Sequence, residues 1–234
     1  MSKGNRYIAI IPARGGSKRL PGKNLLEIAG KPLLAWTVEA AVKSGIFERI
    51  IVSTDSPELA EIARKFGAEV PFTRPAGLAT DKSSSVDVLE HTLVTLGLDR
   101  KSEYSHFACL QPTSPLRTAA DLTAAGDLLA EKKADAVISV CKTEHSPLWS
   151  NTLPEDGSMG DFLNKELQKT PSQDLPIYYR LNGAIYFCSI ERFLTEKTLF
   201  LGSNIYAYEM SRRNSIDIDD EVDFDLAHIY LKKS

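Results

Sequence analysis

The chain lacks the features that would place it outside ordinary globular enzymes. It has three cysteines in 234 residues, Cys109, Cys141 and Cys188, an odd number set far apart with no C-x-x-C pair. No disulfide framework and no zinc spacing can be built from them. Cys109 and Cys141 sit in apolar runs and read as buried free thiols. No apolar run reaches the length of a membrane span. The opening Met1–Arg6 is polar and does not read as a secretory leader, so the cytoplasm is the expected compartment and no membrane partner is expected. Charge of one sign is also missing: the net charge is -3, with no field that would recruit nucleic acid. No repeat and no low-complexity tract is found, and none of the four histidines lies in a motif.

What is present is 43% hydrophobic and 25% charged, in a chain long enough for one large domain. Apolar runs at Tyr7–Pro12, Arg49–Ser53, Glu69–Phe72, His106–Leu110 and Ala136–Val140 predict five strands. Helical spacing predicts helices over Pro32–Lys43, Pro57–Phe66, Ser84–Leu96 and Ala119–Glu131. This alternation predicts an α/β fold, a doubly wound, mostly parallel sheet covered on both faces. From about residue 145 to 179 the alternation stops and four prolines appear. A structureless loop of that length is uncommon, so an insert that packs on a second copy is expected. Its apolar residues Leu148, Trp149, Leu153, Phe162 and Leu163 suit an interface. Regular patterning returns at Gly183–Cys188, Asn204–Glu209 and a final helix near Glu221–Lys232.

The first strand runs into Arg14-Gly15-Gly16-Ser17-Lys18-Arg19-Leu20-Pro21-Gly22-Lys23-Asn24. Glycines let backbone N–H groups approach a ligand, and the cations beside them suit a polyphosphate. A Walker A loop is excluded, because Gly16 and Gly22 enclose five residues and Asn24 follows Lys23. G-x-G-x-x-G is absent from this loop, which argues against a dinucleotide oxidoreductase. Leu78–Ser85 reads as a helix start with more hydroxyls than capping needs. Gln111-Pro112-Thr113-Ser114-Pro115 is a stiff polar platform after a buried strand. In Ser215–Asp220, an extended chain puts Asp217 and Asp219 on one face and Ile216 and Ile218 on the other. Such a pair suits Mg²⁺, while Asp219 or Asp220 also suits capping of the last helix. Arg180 is a fork for a carboxylate, and Asn182-Gly183 reads as a turn.

With these motifs in place, the chain resembles the CMP-nonulosonate synthetases, the N-acylneuraminate (CMP-sialic acid) cytidylyltransferases. The matching blocks are IIPARGGSKRLPGKN at 10–24, RIIVSTDSPELAEIA at 49–63, RPAGLATDKSSS at 74–85, LQPTSPLR at 110–117, LNGAIY at 181–186 and SIDIDDEVDF at 215–224. The resemblance implies a Rossmann-like nucleotidyltransferase fold, a small dimerisation insert, a homodimer, and Mg²⁺ as cofactor. It implies that the anomeric hydroxyl of a nine-carbon sugar acid attacks the α-phosphate of CTP, in the service of surface polysaccharide synthesis. Arg14, Gly15, Gly16, Ser17, Lys18, Lys23 and Asn24 then fall on the triphosphate side, and Arg74, Ser83 and Ser85 on the cytidine side. Gln111, Arg180, Asn182 and Tyr186 fall on the sugar, and Asp217 and Asp219 on the metal. The expected catalytic set is Arg14, Lys18, Lys23, Asp217 and Asp219. A metal-activated oxygen is the preferred activator of the acceptor hydroxyl, with Asp217 as the alternative. Members specific for N-acetylneuraminate can carry Arg where this chain has Ser172, which leaves legionaminate and pseudaminate open. CMP-Kdo synthetases look like more distant relatives, and a non-catalytic nucleotide-binding module is the other alternative.

Overall fold

The structure, a computed structural model, describes residues 6–17, 20–99, 102–164 and 171–233. Strand β1 (Tyr7–Pro12) is the centre of its logic. Tyr7, Ala9 and Ile11 face a cluster with Leu34 and Val38 of helix α1 (Leu33–Ser44) and Leu122 and Leu129 of α4 (Ala119–Lys132). Ile8 and Ile10 face the other way, onto Leu89 and Leu93 of α3 (Ser85–Thr95) and Phe193 of α5 (Ile190–Glu196). A strand buried on both faces must be apolar at every position, which is why it reads as a continuous run.

Two short strands, β2 (Glu27–Ile28) and β3 (Lys31–Pro32), form a separate hairpin. The main sheet uses β1, β4 (Phe47–Ser53), β5 (His106–Cys109), β6 (Ala136–Lys142), β7 (Tyr179–Ser189) and β8 (Ile205–Glu209), in the order β4-β1-β5-β7-β6-β8. Five strands run one way, and β7 runs against both its neighbours. The sequence predicts only a mostly parallel sheet, and the reversal has a topological cause. The 145–179 segment leaves from the carboxyl end of β6 and returns at that same end, so the next strand must run back.

One expected strand is not a strand. Glu69–Phe72 makes only isolated parallel bridges, Ile51 to Glu69 and Thr54 to Thr73. Pro71 lies between them and has no N–H to donate. Helix bounds otherwise follow the expected ones within a residue or two. Ser56 caps α2 (Pro57–Lys65), Ser84 caps α3, and Thr118 with Asp121 forms a capping box on α4.

A third cluster joins Ile28, Leu33, Leu116, Ile218, Ala227 and Leu231. It docks helix α6 (Glu221–Lys232) against the β2–β3 hairpin and the loop after β5. Ile218 is its fully buried anchor. Burying Ile218 fixes the face on which Asp217 and Asp219 stand.

Candidate active site

A cleft of about 340 Å³ opens at the carboxyl ends of β1, β4 and β5, where ligands bind in open α/β sheets. Its walls come from the loop after β1, the 74–85 segment, the Gln111–Thr113 platform and the Asp217–Asp219 segment. Of the expected site residues, Arg14, Gly16, Ser17, Lys23, Asn24, Arg74, Ser83, Ser85, Gln111, Asp217 and Asp219 all line it. Lys18 lies outside the described residues.

The loop after β1 is held from several sides. Asn24 Nδ2 donates to the Arg14 carbonyl at 3.0 Å. Gly15 N–H donates to Asp55 Oδ1 at 2.9 Å, and a Cβ there would stand 3.1 Å from Ser56 Cβ. Gly15 therefore serves close packing against the β4–α2 turn, and it does not line the cleft. Gly16 has nothing within 4 Å of a Cβ position and faces open space. Arg14 forms an ion pair with Asp81 at 2.8 Å, joining the phosphate-type loop to the hydroxyl-rich one.

On the other rim, Arg74 is buried and bonds Ser53 through both its Nε and Nη2. Burial pulls its pKa down to about 10, with Asp55 acting the other way. Ser83 is tied into its own loop, donating to the Gly77 carbonyl at 3.1 Å and lying 2.9 Å from Thr80 Oγ1. Ser84 does the capping of α3, which leaves Ser83 and Ser85 on the cleft wall without that duty.

Across the cleft, Lys23 Nζ donates to the Ile218 carbonyl and lies 3.9 Å from Asp219 Oδ1. Asp217 is largely buried. Burial raises its carboxyl pKa; the Thr113 hydrogen bond opposes this, the Asp219 charge adds to it, and Lys23 opposes it. Two carboxylates on one face, one of them resisting ionisation, form a site that gains from a cation. The oxygen-only donor set suits Mg²⁺, which takes one or two carboxylates and completes its shell with water and phosphate. Among the described residues no group of three or more His, Cys, Asp or Glu forms a closed metal cage.

The capping question resolves to Asp220. Its Oδ1 accepts from Asp223 N–H at 3.1 Å, while Asp223 Oδ2 accepts from the N–H groups of Asp219 and Asp220. Asp220→Ala is expected to cost about 1 kcal/mol, seen as a melting temperature lower by about 2–4 °C, with turnover unchanged. A loss of turnover on the scale expected for Asp217 would move the catalytic role to the cap.

Three expected sugar residues are not brought into the cleft. Asn182 is buried in the wall, its Oδ1 accepting from Ser139 Oγ at 2.6 Å and its Nδ2 donating to Ser215 Oγ at 2.9 Å. Arg180 stands at the start of β7, 3.8 Å from Glu144, which also lies 3.3 Å from Arg212. Tyr186 pairs with Cys109 across β7 and β5, and burial pushes its phenol up to about 12.

Gly183 is a site residue that motif reading passes over as a surface turn. It lies inside β7 at φ 73°, where the ladder to β6 shifts register. A Cβ there would stand 2.7 Å from Gln111 Oε1 and 3.1 Å from Asp217 Oδ2. Only a glycine lets those two side chains meet over the backbone. Asp55 is a further residue that local patterning does not mark, and Asp81 and Thr113, within the hydroxyl-rich segment and the platform, take up Arg14 and Asp217. Each acts on a partner distant in sequence.

The family described as "Cytidylyltransferase" matches residues 8–219, and the chain belongs to that family. It is 40% identical to an N-acylneuraminate cytidylyltransferase of Escherichia coli over 95% of this chain, spanning about half (51%) of that relative's length. It is 37% identical to the CMP-N,N'-diacetyllegionaminic acid synthase of Legionella pneumophila, covering 94% of each chain. It is 34% identical to a pseudaminic acid cytidylyltransferase of Campylobacter jejuni, covering 97% of each. Among solved structures, a CMP:2-keto-3-deoxy-manno-octonic acid synthetase complexed with CTP superposes with a TM-score of 0.72 at 18% identity, over 98% of this chain and 99% of that one. At that identity the likeness establishes the α/β fold alone.

Proposed function

We propose that the protein transfers CMP from CTP to the anomeric hydroxyl of a nonulosonic acid. In this reaction the acceptor oxygen forms a bond to the α-phosphorus of CTP, the α–β phosphoanhydride breaks, pyrophosphate leaves, and the hydroxyl proton is lost. The observation that carries the reading is the Asp217–Asp219 pair on the wall of a cleft that the glycine-rich basic loop also lines, with Lys23 of that loop 3.9 Å from Asp219. Relatives named for neuraminate, legionaminate and pseudaminate transfer support the substrate class.

Phosphoryl chemistry asks mainly for positioning and charge neutralisation. Arg14 and Lys23 would hold the triphosphate oxygens and offset charge on the leaving group. Arg74, Ser83 and Ser85 would bound the nucleoside. Gln111 would orient the acid above Gly183, beside Asp217. Asp217 and Asp219 would hold Mg²⁺, which when bound supplies positive charge to the reacting phosphate. Asp217, whose Oδ2 lies beside Gly183 and the Gln111 side chain, is the alternative acceptor of the hydroxyl proton.

A panel of acids tests the substrate. CTP-dependent pyrophosphate release is expected with one or more of the nine-carbon acids neuraminate, legionaminate and pseudaminate, and not with eight-carbon Kdo. Preference for Kdo would shift the reading to a CMP-Kdo synthetase. CTP binding without turnover on any acid would leave a nucleotide-binding module.

The reading extends to a homodimer through residues 145–179. Of the described residues there, Trp149, Leu153, Met159 and Ile177 are exposed apolar side chains, which suits an interface. Light scattering at micromolar concentration is expected to give twice the 25.8 kDa chain mass. A fully active monomer would contradict it. Three buried free cysteines suit a reducing compartment, and with it the cytoplasm. No described helix is long and apolar enough to cross a membrane.

A further inference from the structure

A second cavity, about 500 Å³, lies at the far end of the Gln111–Arg117 loop and shares no lining residue with the catalytic cleft. Four cations line it: Arg117 from the loop, Lys43 from α1, and Arg213 and Lys233 from either side of α6. Thr118 and Ala119, the N-terminus of α4, line it too and add the positive end of a fourteen-residue helix. The acids nearby are already engaged. Glu39, which itself lines the cavity, is held by Lys31 and Lys43 at 2.8 and 2.9 Å. Asp121 accepts from Thr118, from Tyr208 and from Asn214.

Arg117 is the centre of this site. It is 2% exposed, and its Nη1 donates to the Gln111 carbonyl at 3.2 Å and to the Ala184 carbonyl at 2.7 Å. No described residue accepts from its Nε or Nη2. Burial pulls the guanidinium down to about 10, although Cys109 and Asp121 act to hold its proton. Leaving charged N–H groups buried and unpaired is expensive. Nε and Nη2 are also the edge of a guanidinium that takes two oxygens of one oxyanion side by side.

We propose that this cavity binds a small oxyanion, a phosphate or a carboxylate, on the Nε/Nη2 edge of Arg117, and that its occupancy is felt by the acceptor site. The connection is short. Arg117 lines the second cavity, and its guanidinium carries the backbone of Gln111, whose side chain lies over Gly183 and Asp217 in the cleft. The binding half stands independently of the proposed reaction, and the coupling half rests on it.

Trp36 lines the cavity, and the only other tryptophan is Trp149. In a Trp149→Phe background, Trp36 emission therefore reports on the site. Inorganic phosphate and acetate are titrated separately at constant ionic strength, with chloride as the reference. At least one is expected to give a saturable change that chloride does not, and the stronger of the two names the class. Arg14→Ala, which cripples only the cleft, should keep the change. Lys43→Glu with Lys233→Glu, both on the rim and distant from the chemistry, should weaken it at least tenfold. In turnover assays at saturating CTP, the effective anion should shift the KM for the acid in wild type and not in the rim variant, whose basal activity stays unchanged. No saturable change beyond chloride, or a change lost in Arg14→Ala and kept in the rim variant, would overturn the proposal. Binding without a KM shift would overturn the coupling alone.

Discussion

Asp217→Asn and Asp219→Asn are each expected to lower pyrophosphate release from CTP by about a hundredfold or more, or about 3 kcal/mol of transition-state stabilisation. Asparagine keeps the shape of the side chain and removes its charge. Asp220 and Asp223 carry the helix cap, so folding is expected to survive. Part of the loss should be recovered at high Mg²⁺. A second readout separates metal binding from structure. The Asp217 carboxyl has a raised pKa in the metal-free fold, burial being the largest cause. A group raised in the native state contributes stability that is full below its unfolded pKa and is lost as pH rises through its folded pKa. Metal-free wild type should therefore melt below Asp217→Asn at neutral pH, with the gap closing as pH falls toward the ordinary aspartate range. Added Mg²⁺ should raise the melting temperature of wild type at concentrations that leave the variant unchanged. Near-wild-type turnover of both variants at low Mg²⁺ would remove these carboxylates from the chemistry.

Gly183→Ala is expected to lower kcat by about a hundredfold, the scale on which small misplacements of reacting groups act. Two effects combine. The backbone is left-handed at φ 73°, which costs a residue with a side chain about 1–2 kcal/mol. The new methyl would also stand 2.7 Å from Gln111 Oε1 and 3.1 Å from Asp217 Oδ2, so one or both must move. Because Gly183 positions other groups, its signature is a split in the kinetics. The KM for CTP should stay close to wild type, since Arg14 and Lys23 are held by the loop after β1. The KM for the acid should rise with the fall in kcat. Full kcat at reduced stability would show that the glycine serves only the backbone turn.

How much of this was legible in the sequence depended on distance along the chain. The basic glycine loop, the serine cluster and the Asp217–Asp219 pair are local patterns, and each falls on the cleft as expected. The parallel strands read out for the same reason, since each is a continuous apolar run. The antiparallel course of β7 was not legible, because it follows from where the 145–179 segment returns. Arg180 reads as a ligand residue because its guanidinium is a fork for a carboxylate, and Asn182 because the family resemblance places it on the sugar. The sequence does not say that Ser139 and Ser215, both more than thirty positions away, absorb Asn182 in the wall. Gly183 read as a surface turn because its reason for being glycine lies in Gln111 and Asp217, distant in sequence and adjacent in space.

The central claim is that the α-phosphate of CTP passes to a nonulosonic acid on this cleft. Phosphorus NMR of the protein with CTP, Mg²⁺ and the best acid of the panel tests it most directly. The account predicts that the α-phosphorus signal of CTP is replaced by one phosphodiester signal as free pyrophosphate accumulates in equal amount, and that neither forms without the acid. Release of orthophosphate, or pyrophosphate and free CMP formed equally well without any acid, would contradict it.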